Sequence, residues 1–191
     1  MALMHRNLGK WEMHDYVQAV KYLRKQPFVD PERIGITGGS YGGYTTSLAL
    51  TKESEYFRFG IASSSVIDWR LYDSVYTERY MDTPQENPQG YDDGSVLNYI
   101  EGYRGGLRIT HGSADDNVHM QNTVQFIDAV LESGKTVELM IYPDEFHGWR
   151  RSKKYRESVL SDTNFWLRNF FDRTIELPVP EKRSKEVRVA R

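Results

Sequence analysis

A chain of 191 residues with a formal net charge of −2 can bury one sizeable core, and it lacks the basic excess that marks nucleic-acid binding. It has no cysteine, which excludes disulfides and thiolate metal sites. No apolar run reaches the roughly 18–20 residues of a membrane span, and Met1–Asn7 holds no secretory h-region, so a soluble chain is expected.

Residues 11–26 predict an amphipathic helix with Met13, Tyr16, Val17, Val20 and Leu23 on one face, stopped by Pro27. The turn Asp30-Pro31-Glu32 leads into a first strand, Arg33–Thr37. Gly38-Gly39-Ser40-Tyr41-Gly42-Gly43 follows, and then Tyr44–Leu50, which continues as a helix. Strand, turn and helix in that order make Gly-x-Ser-x-Gly readable as a nucleophile elbow, which lifts one hydroxyl above the sheet. On this reading a side chain at Gly38 or Gly42 would crowd the turn. The alternative is a glycine-rich loop whose serine caps a helix.

Phe57–Ala62 reads as a second strand, Leu107–His111 as a third and Thr136–Tyr142 as a fourth. A helix with Met120, Val124, Ile127 and Leu131 on one face separates the last two. A final helix over about 152–173 should turn Val159, Thr163, Trp166, Leu167 and Phe170 inward. Strands alternating with helices imply a parallel sheet. The segment 63–105 breaks the alternation. It holds Trp69, Tyr72, Tyr76 and Tyr80, then a polar loop at Pro84–Gly90. On a helix the first three share one sector, which fits either core packing or the wall of an apolar pocket. Residues 175–191 read as a charged, proline-containing tail.

A serine nucleophile needs a base, and the base needs an orienting carboxylate. In the α/β-hydrolase order these follow successive strands as serine, acid, histidine. Ser40 follows the first strand, Asp115 and Asp116 the third, and His147 the fourth. All three would project from one edge of the sheet, where open α/β folds place their sites. Of the other histidines, His5 and His14 precede the elbow, His111 ends a strand and fits a buried, hydrogen-bonded role, and His119 opens a helix. The Asp115-Asp116 pair has no second ligand cluster at metal spacing, so neither metal nor cofactor is expected.

Four segments carry a resemblance: Gly38–Tyr44, Asp73-Ser74-Val75-Tyr76-Thr77-Glu78-Arg79-Tyr80-Met81, His111–His119 and Asp144–Gly148. Together they resemble the catalytic domain of the prolyl oligopeptidase family, and within it the dipeptidyl peptidase IV branch, from about Asn7 to Phe171. The resemblance implies that residues 1–174 form an α/β-hydrolase domain truncated at its N-terminus, with about four mostly parallel strands and flanking helices. It implies a serine peptidase cleaving after a penultimate Pro or Ala through an acyl-enzyme. Ser40 would be the nucleophile, Asp115 rather than Asp116 the acid, and His147 the base. Tyr41, Val66, Trp69, Tyr72, Tyr76 and Val118 would hold the proline ring, Asn117 a substrate carbonyl, and the Tyr41 backbone N–H the oxyanion. No cofactor is implied.

The same resemblance implies parts that the chain does not contain. These are strands before the nucleophile strand, a loop whose tyrosine is the second oxyanion donor, and a propeller whose glutamates bind the substrate's amine. The Arg33–Gly38 strand would then lack a neighbour, so a second copy or a missing N-terminal segment is expected along that edge. Relatives act mainly outside the cytoplasm, which makes a periplasmic or extracytoplasmic location the expectation. Two other functions fit the same residues: an esterase or acylaminoacyl-peptidase-like hydrolase, and a non-enzymatic module associating through its open edge.

Overall fold

The computed structural model describes residues 3–176. Its centre is a sheet of four strands, β1 (Gly35–Gly39), β2 (Phe59–Ser63), β3 (Gly106–Gly112) and β4 (Glu138–Tyr142), in the spatial order β1-β2-β3-β4. All pairings are parallel, with Gly39 opposite Ser63, Ser63 opposite Thr110, and Gly112 opposite Tyr142. That register brings the C-terminal ends of the strands to one edge. Among the described residues β1 is paired on one side only.

The described residues form six α-helices: α1 (Trp11–Leu23), α2 (Tyr41–Thr51), α3 (Ser74–Met81), α4 (Pro88–Gly94), α5 (Gln121–Glu132) and α6 (Tyr155–Phe171). Two 3₁₀ segments, Trp69–Leu71 and Val96–Gly102, complete the 63–105 region. Gly60 leaves room for Thr46 and Leu50 of α2 on one face, while Gly35 lies under the Trp166 ring of α6 on the other. β3, covered on both faces, is almost wholly buried although it carries Arg108, Thr110 and His111. Its residues alternate between layers: His111 bonds Thr123 of α5, and Arg108 bonds Asp162 of α6. None of the described helices is long and apolar enough to cross a membrane.

The strands, the parallel sheet and the flanking helices agree with the sequence reading, whereas several helix faces do not. On α5 the residues turned inward are Asn122, Thr123, Phe126 and Val130; Val124 and Leu131 are 54% and 60% exposed. Two stripes at helical spacing compete on this helix. The inner one is selected by polar anchors, with Thr123 on His111 and Asn122 Oδ1 accepting from the Ile67 N–H at 2.9 Å. On α1 the buried stripe is narrower than expected, with Met13, Val17 and Val20 inside and Tyr16 and Leu23 outside. On α6 Val159 faces solvent, and Phe165 is buried instead. The aromatic stripe is also not one helix: Trp69 ends up on a 3₁₀ turn capped by Asp68, and Tyr76 on α3 capped by Asp73. The expected loop at 84–90 contains the start of α4, where the Asn87 side chain accepts from the Gly90 N–H ahead of Pro88. The tail reading lies, from residue 177, outside the described residues.

The glycines of the elbow divide differently than the motif suggests. A Cβ on Gly38 would lie 2.5 Å from the backbone carbon of Gly42, and one on Gly43 would lie 2.7 Å from the carbonyl oxygen of Ser63. A Cβ on Gly42 would meet nothing within 4 Å, so the second glycine that sterics require is Gly43. Gly43→Ala should therefore lower stability by about 1–3 kcal/mol, and Gly42→Ala should be neutral or stabilising by up to about 1 kcal/mol. Urea melts of the two variants check this.

Candidate active site

Ser40 stands between β1 and α2 with φ 58° and ψ −120°, a conformation a β-substituted residue adopts only under constraint. Its own N–H donates to the Ser63 carbonyl at 2.9 Å, and its carbonyl accepts from Tyr44 N–H at 3.0 Å, closing the first turn of α2. The hydroxyl makes no capping bond to the helix it precedes, which disfavours the helix-cap reading. The first N–H groups of α2 have no intrahelical acceptor, and Tyr41 N–H is the first of them, beside the serine.

His147 follows β4 and Asp115 follows β3. The imidazole Nδ1 lies 2.9 Å from Asp115 Oδ2 and 3.1 Å from Oδ1. The carboxylate is closed off on its other sides. Its Oδ1 accepts from the N–H groups of Asn117 at 3.0 Å and Val118 at 2.9 Å, and Oδ2 lies 3.3 Å from His111 Nε2. Burial opposes its ionisation, but the bonds from His111, His147 and the Asn117 backbone outweigh that and hold the carboxyl below the usual range. In turn the hydrogen bond to Asp115 raises the His147 imidazole above its ordinary value, against burial. Asp116, next in sequence, is exposed and takes no part in this pairing.

Ser40 and His147 line the same cleft, of about 450 Å³, although no hydrogen bond between their side chains is formed among the described residues. Trp149, Tyr155 and Val159 also line that cleft, and sequence patterning did not single out the first two. On its other side Ser40 borders a small pocket of about 60 Å³ with Tyr41, Val66, Trp69, Tyr72 and Tyr76. The aromatic stripe therefore serves both of the roles open to it. Trp69 and Val66 are core residues at 1% and 2% exposure, and the same side chains line the pocket. Trp69 stacks on Tyr76 with centroids 6.1 Å apart, and Tyr72 meets Tyr76 edge-on at 5.3 Å.

The remaining two expected residues lie outside that pocket. Asn117 accepts from the Tyr72 hydroxyl at 2.6 Å and shares a depression with Tyr72 and His147, while Val118 is fully buried behind the Asp115 turn. His111 is buried, with Nδ1 on Thr123 and Nε2 on the Val118 carbonyl at 2.8 Å, so it is a structural member of the turn. Glu12, which no pattern in the sequence marks, reaches the site from α1 and accepts from the Tyr41 hydroxyl.

The residues gathered here are an imidazole held by a buried carboxylate, a serine that shares its cleft, and the Tyr41 backbone N–H beside that serine. Their electrostatics can be read directly. In a ¹H–¹⁵N NMR titration His147 should have a pKa above the ordinary imidazole value of about 6.5, and Asp115→Asn should bring it down. Because the folded state raises this pKa, the stability that the pair contributes is fully present below about pH 6.5. It is lost as pH rises through the folded value.

The model of the prolyl oligopeptidase family matches residues 2–173. Among curated proteins the chain is 41% identical over 174 residues to the protein named "Probable dipeptidyl-aminopeptidase B" of Neurospora crassa, covering 89% of this chain and 19% of that one. It is 43% identical over 175 residues to the protein of the same name from Arthroderma otae, with the same coverage of 89% and 19%. Among solved structures, Porphyromonas gingivalis dipeptidyl peptidase 4 superposes with a TM-score of 0.82 at 41% identity, over 87% of this chain and 24% of that one. The chain thus spans about a fifth of the length of the curated relatives it matches. With its parallel sheet, its elbow and this match over nearly its whole length, the chain belongs to the prolyl oligopeptidase family of serine peptidases, with an α/β-hydrolase fold.

Proposed function

We propose that this chain carries the chemical centre of a dipeptidyl-peptidase-like serine peptidase that cleaves after Pro or Ala, with Ser40, His147 and Asp115 as its triad. The observation that supports this most is the constrained serine at φ 58° sharing a cleft with an imidazole held 2.9 Å from a buried carboxylate.

In this mechanism His147 Nε2 takes the proton from Ser40 as Oγ attacks the peptide carbonyl. Asp115 fixes the proton of the ring on Nδ1 and stabilises the imidazolium that forms. The Tyr41 N–H donates to the developing oxyanion. His147 then gives its proton to the leaving amine, and later takes one from the water that hydrolyses the acyl-enzyme. The pocket of Tyr41, Val66, Trp69, Tyr72 and Tyr76 receives the proline or alanine side chain. Its small volume and aromatic walls favour a compact apolar ring. Val118 belongs to the same buried cluster as Val66 and Trp69. Asn117 has its oxygen engaged by Tyr72, which leaves its amide nitrogen to donate to a substrate carbonyl.

Since the base must be neutral to act, kcat/KM should rise with pH through the elevated His147 pKa. A fluorophosphonate probe should label the wild-type chain and leave Ser40→Ala unlabelled, while Asp115→Asn should cut turnover by about 10⁴-fold. Absence of labelling in the wild-type chain would leave only the non-enzymatic reading. Faster cleavage of short acyl esters than of glycyl-prolyl chromogenic substrates would move the assignment to an esterase or acylaminoacyl-peptidase-like hydrolase.

The partner reading concerns β1, which is paired only to β2 among the described residues. A half-paired strand that contains Ile36 and follows Ile34 is a template for strand addition, and a second copy or an N-terminal segment of a longer polypeptide would satisfy it. Light scattering at micromolar concentration should show assemblies larger than one chain; a monodisperse monomer would remove the second-copy form of this reading.

A further inference from the structure

Glu12 lies in the first turn of α1, and the acyl-transfer steps above do not use it. Its Oε1 accepts twice, from the Gly9 N–H at 2.7 Å and from the Tyr41 hydroxyl. Its Oε2 is buried and has no hydrogen-bond partner among the described residues. A buried anionic oxygen left unpaired is costly, and a glutamine of the same shape would accept both bonds at a lower desolvation cost. The position thus carries a charge where a neutral isostere would pack, and what the charge adds is strength in the bonds it accepts.

Tyr41 is the residue through which that strength acts. Its N–H follows Ser40, and its ring walls the small apolar pocket. Burial, and after it the bond to Glu12, pushes the phenol above its ordinary range, so the hydroxyl remains a donor to the carboxylate. Its ring otherwise meets Tyr44 and Trp69, both at centroid distances of 5.5 Å, contacts that set its tilt but permit sliding. The backbone is shaped for this reach. Gly9 has φ +88°, and a Cβ there would lie 2.0 Å from the Tyr44 hydroxyl oxygen, so only glycine lets the turn before α1 approach α2 this closely.

We propose that Glu12 is a positioning residue. Through the Tyr41 hydroxyl it fixes one wall of the acyl pocket and the first residue of α2, and so sets how tightly a compact apolar acyl group is held next to Ser40. This rests on the reading of Ser40 as nucleophile and of the Tyr41 pocket as its acyl site. Glu12 touches neither the substrate nor the reacting atoms.

The test is a double-mutant cycle of Glu12→Ala and Tyr41→Phe, with Glu12→Gln as a third variant, read in two ways. The first readout is kinetic, with glycyl-prolyl and acetyl chromogenic substrates. Glu12→Ala should raise KM for the prolyl substrate about 10-fold or more, with kcat and the acetyl ester affected less than 3-fold, and Tyr41→Phe should raise that KM by at least as much. Glu12→Gln, which keeps an acceptor but not the charge, should recover only part of that loss. The double variant should be no worse than Tyr41→Phe alone. The second readout is the folding equilibrium constant in urea, where the two substitutions should again be less than additive. Additive losses in both readouts, or equal KM effects on both substrates, would overturn the proposal. If the wild-type chain takes no fluorophosphonate label, the assignment of Ser40 fails, while the urea cycle still decides whether Glu12 holds Tyr41.

Discussion

The Asp115 carboxylate is the constraint on which the site depends. Three separately encoded pieces of chain meet on it: the end of β3 through His111, the following turn through the N–H groups of Asn117 and Val118, and the loop after β4 through His147. A charge this buried is tolerated because its acceptor positions are filled, and the same bonds that make it tolerable define where the imidazole stands. The parallel register carries the arrangement further, since Ser63 lies opposite both Gly39 and Thr110 and so links the serine strand to the acid strand. Ser63 Oγ and Thr110 Oγ1 lie 2.7 Å apart, a cross-strand bond immediately below the site.

How much of this could be read from residues alone depended on whether backbone chemistry or packing made the choice. The elbow was legible because a strand-to-helix turn needs particular residues at fixed offsets, and the order of Ser40, Asp115 and His147 follows from one residue type after each strand. The inward face of α5 was not legible. Val124, Ile127 and Leu131 make as good an apolar stripe as Thr123, Phe126 and Val130, and the choice fell to hydrogen bonds from His111 and Ile67, far away in sequence. Gly42 shows the same limit on a smaller scale. The motif names it, but which glycine is sterically obligatory depends on where the Ser63 carbonyl lies, and that distance selects Gly43. Glu12 was silent for a similar reason: one more acidic residue in a first helical turn is ordinary until the turn at Gly9 carries it against Tyr41.

The aromatic cluster shows why core and pocket were poor alternatives. Val66 and Trp69 are buried almost completely, yet their surfaces line the cavity beside Ser40. A cavity wall built from core residues has its rotamers fixed by the packing behind it, so the pocket is held in shape before anything enters. The 63–105 segment reaches this arrangement with short capped pieces rather than one long helix. Asp68 and Asp73 begin two separate helical turns, and the rings those turns carry converge. Sequence spacing saw the convergence but assigned it to a geometry the chain does not use.

The backbone angle at Ser40 has a cost that falls on the whole molecule. A left-handed, β-substituted residue costs on the order of 1–3 kcal/mol, a substantial part of a domain's net stability of about 5–15 kcal/mol. Glycine adopts φ 58° without that penalty, whereas alanine keeps it. On the role proposed for Ser40, chemistry and stability are opposed at this one position: Ser40→Gly would give up the hydroxyl and relax the turn, and Ser40→Ala would give up the hydroxyl and keep the tension. In a lineage freed from selection for turnover, glycine is the replacement that folding alone would favour there.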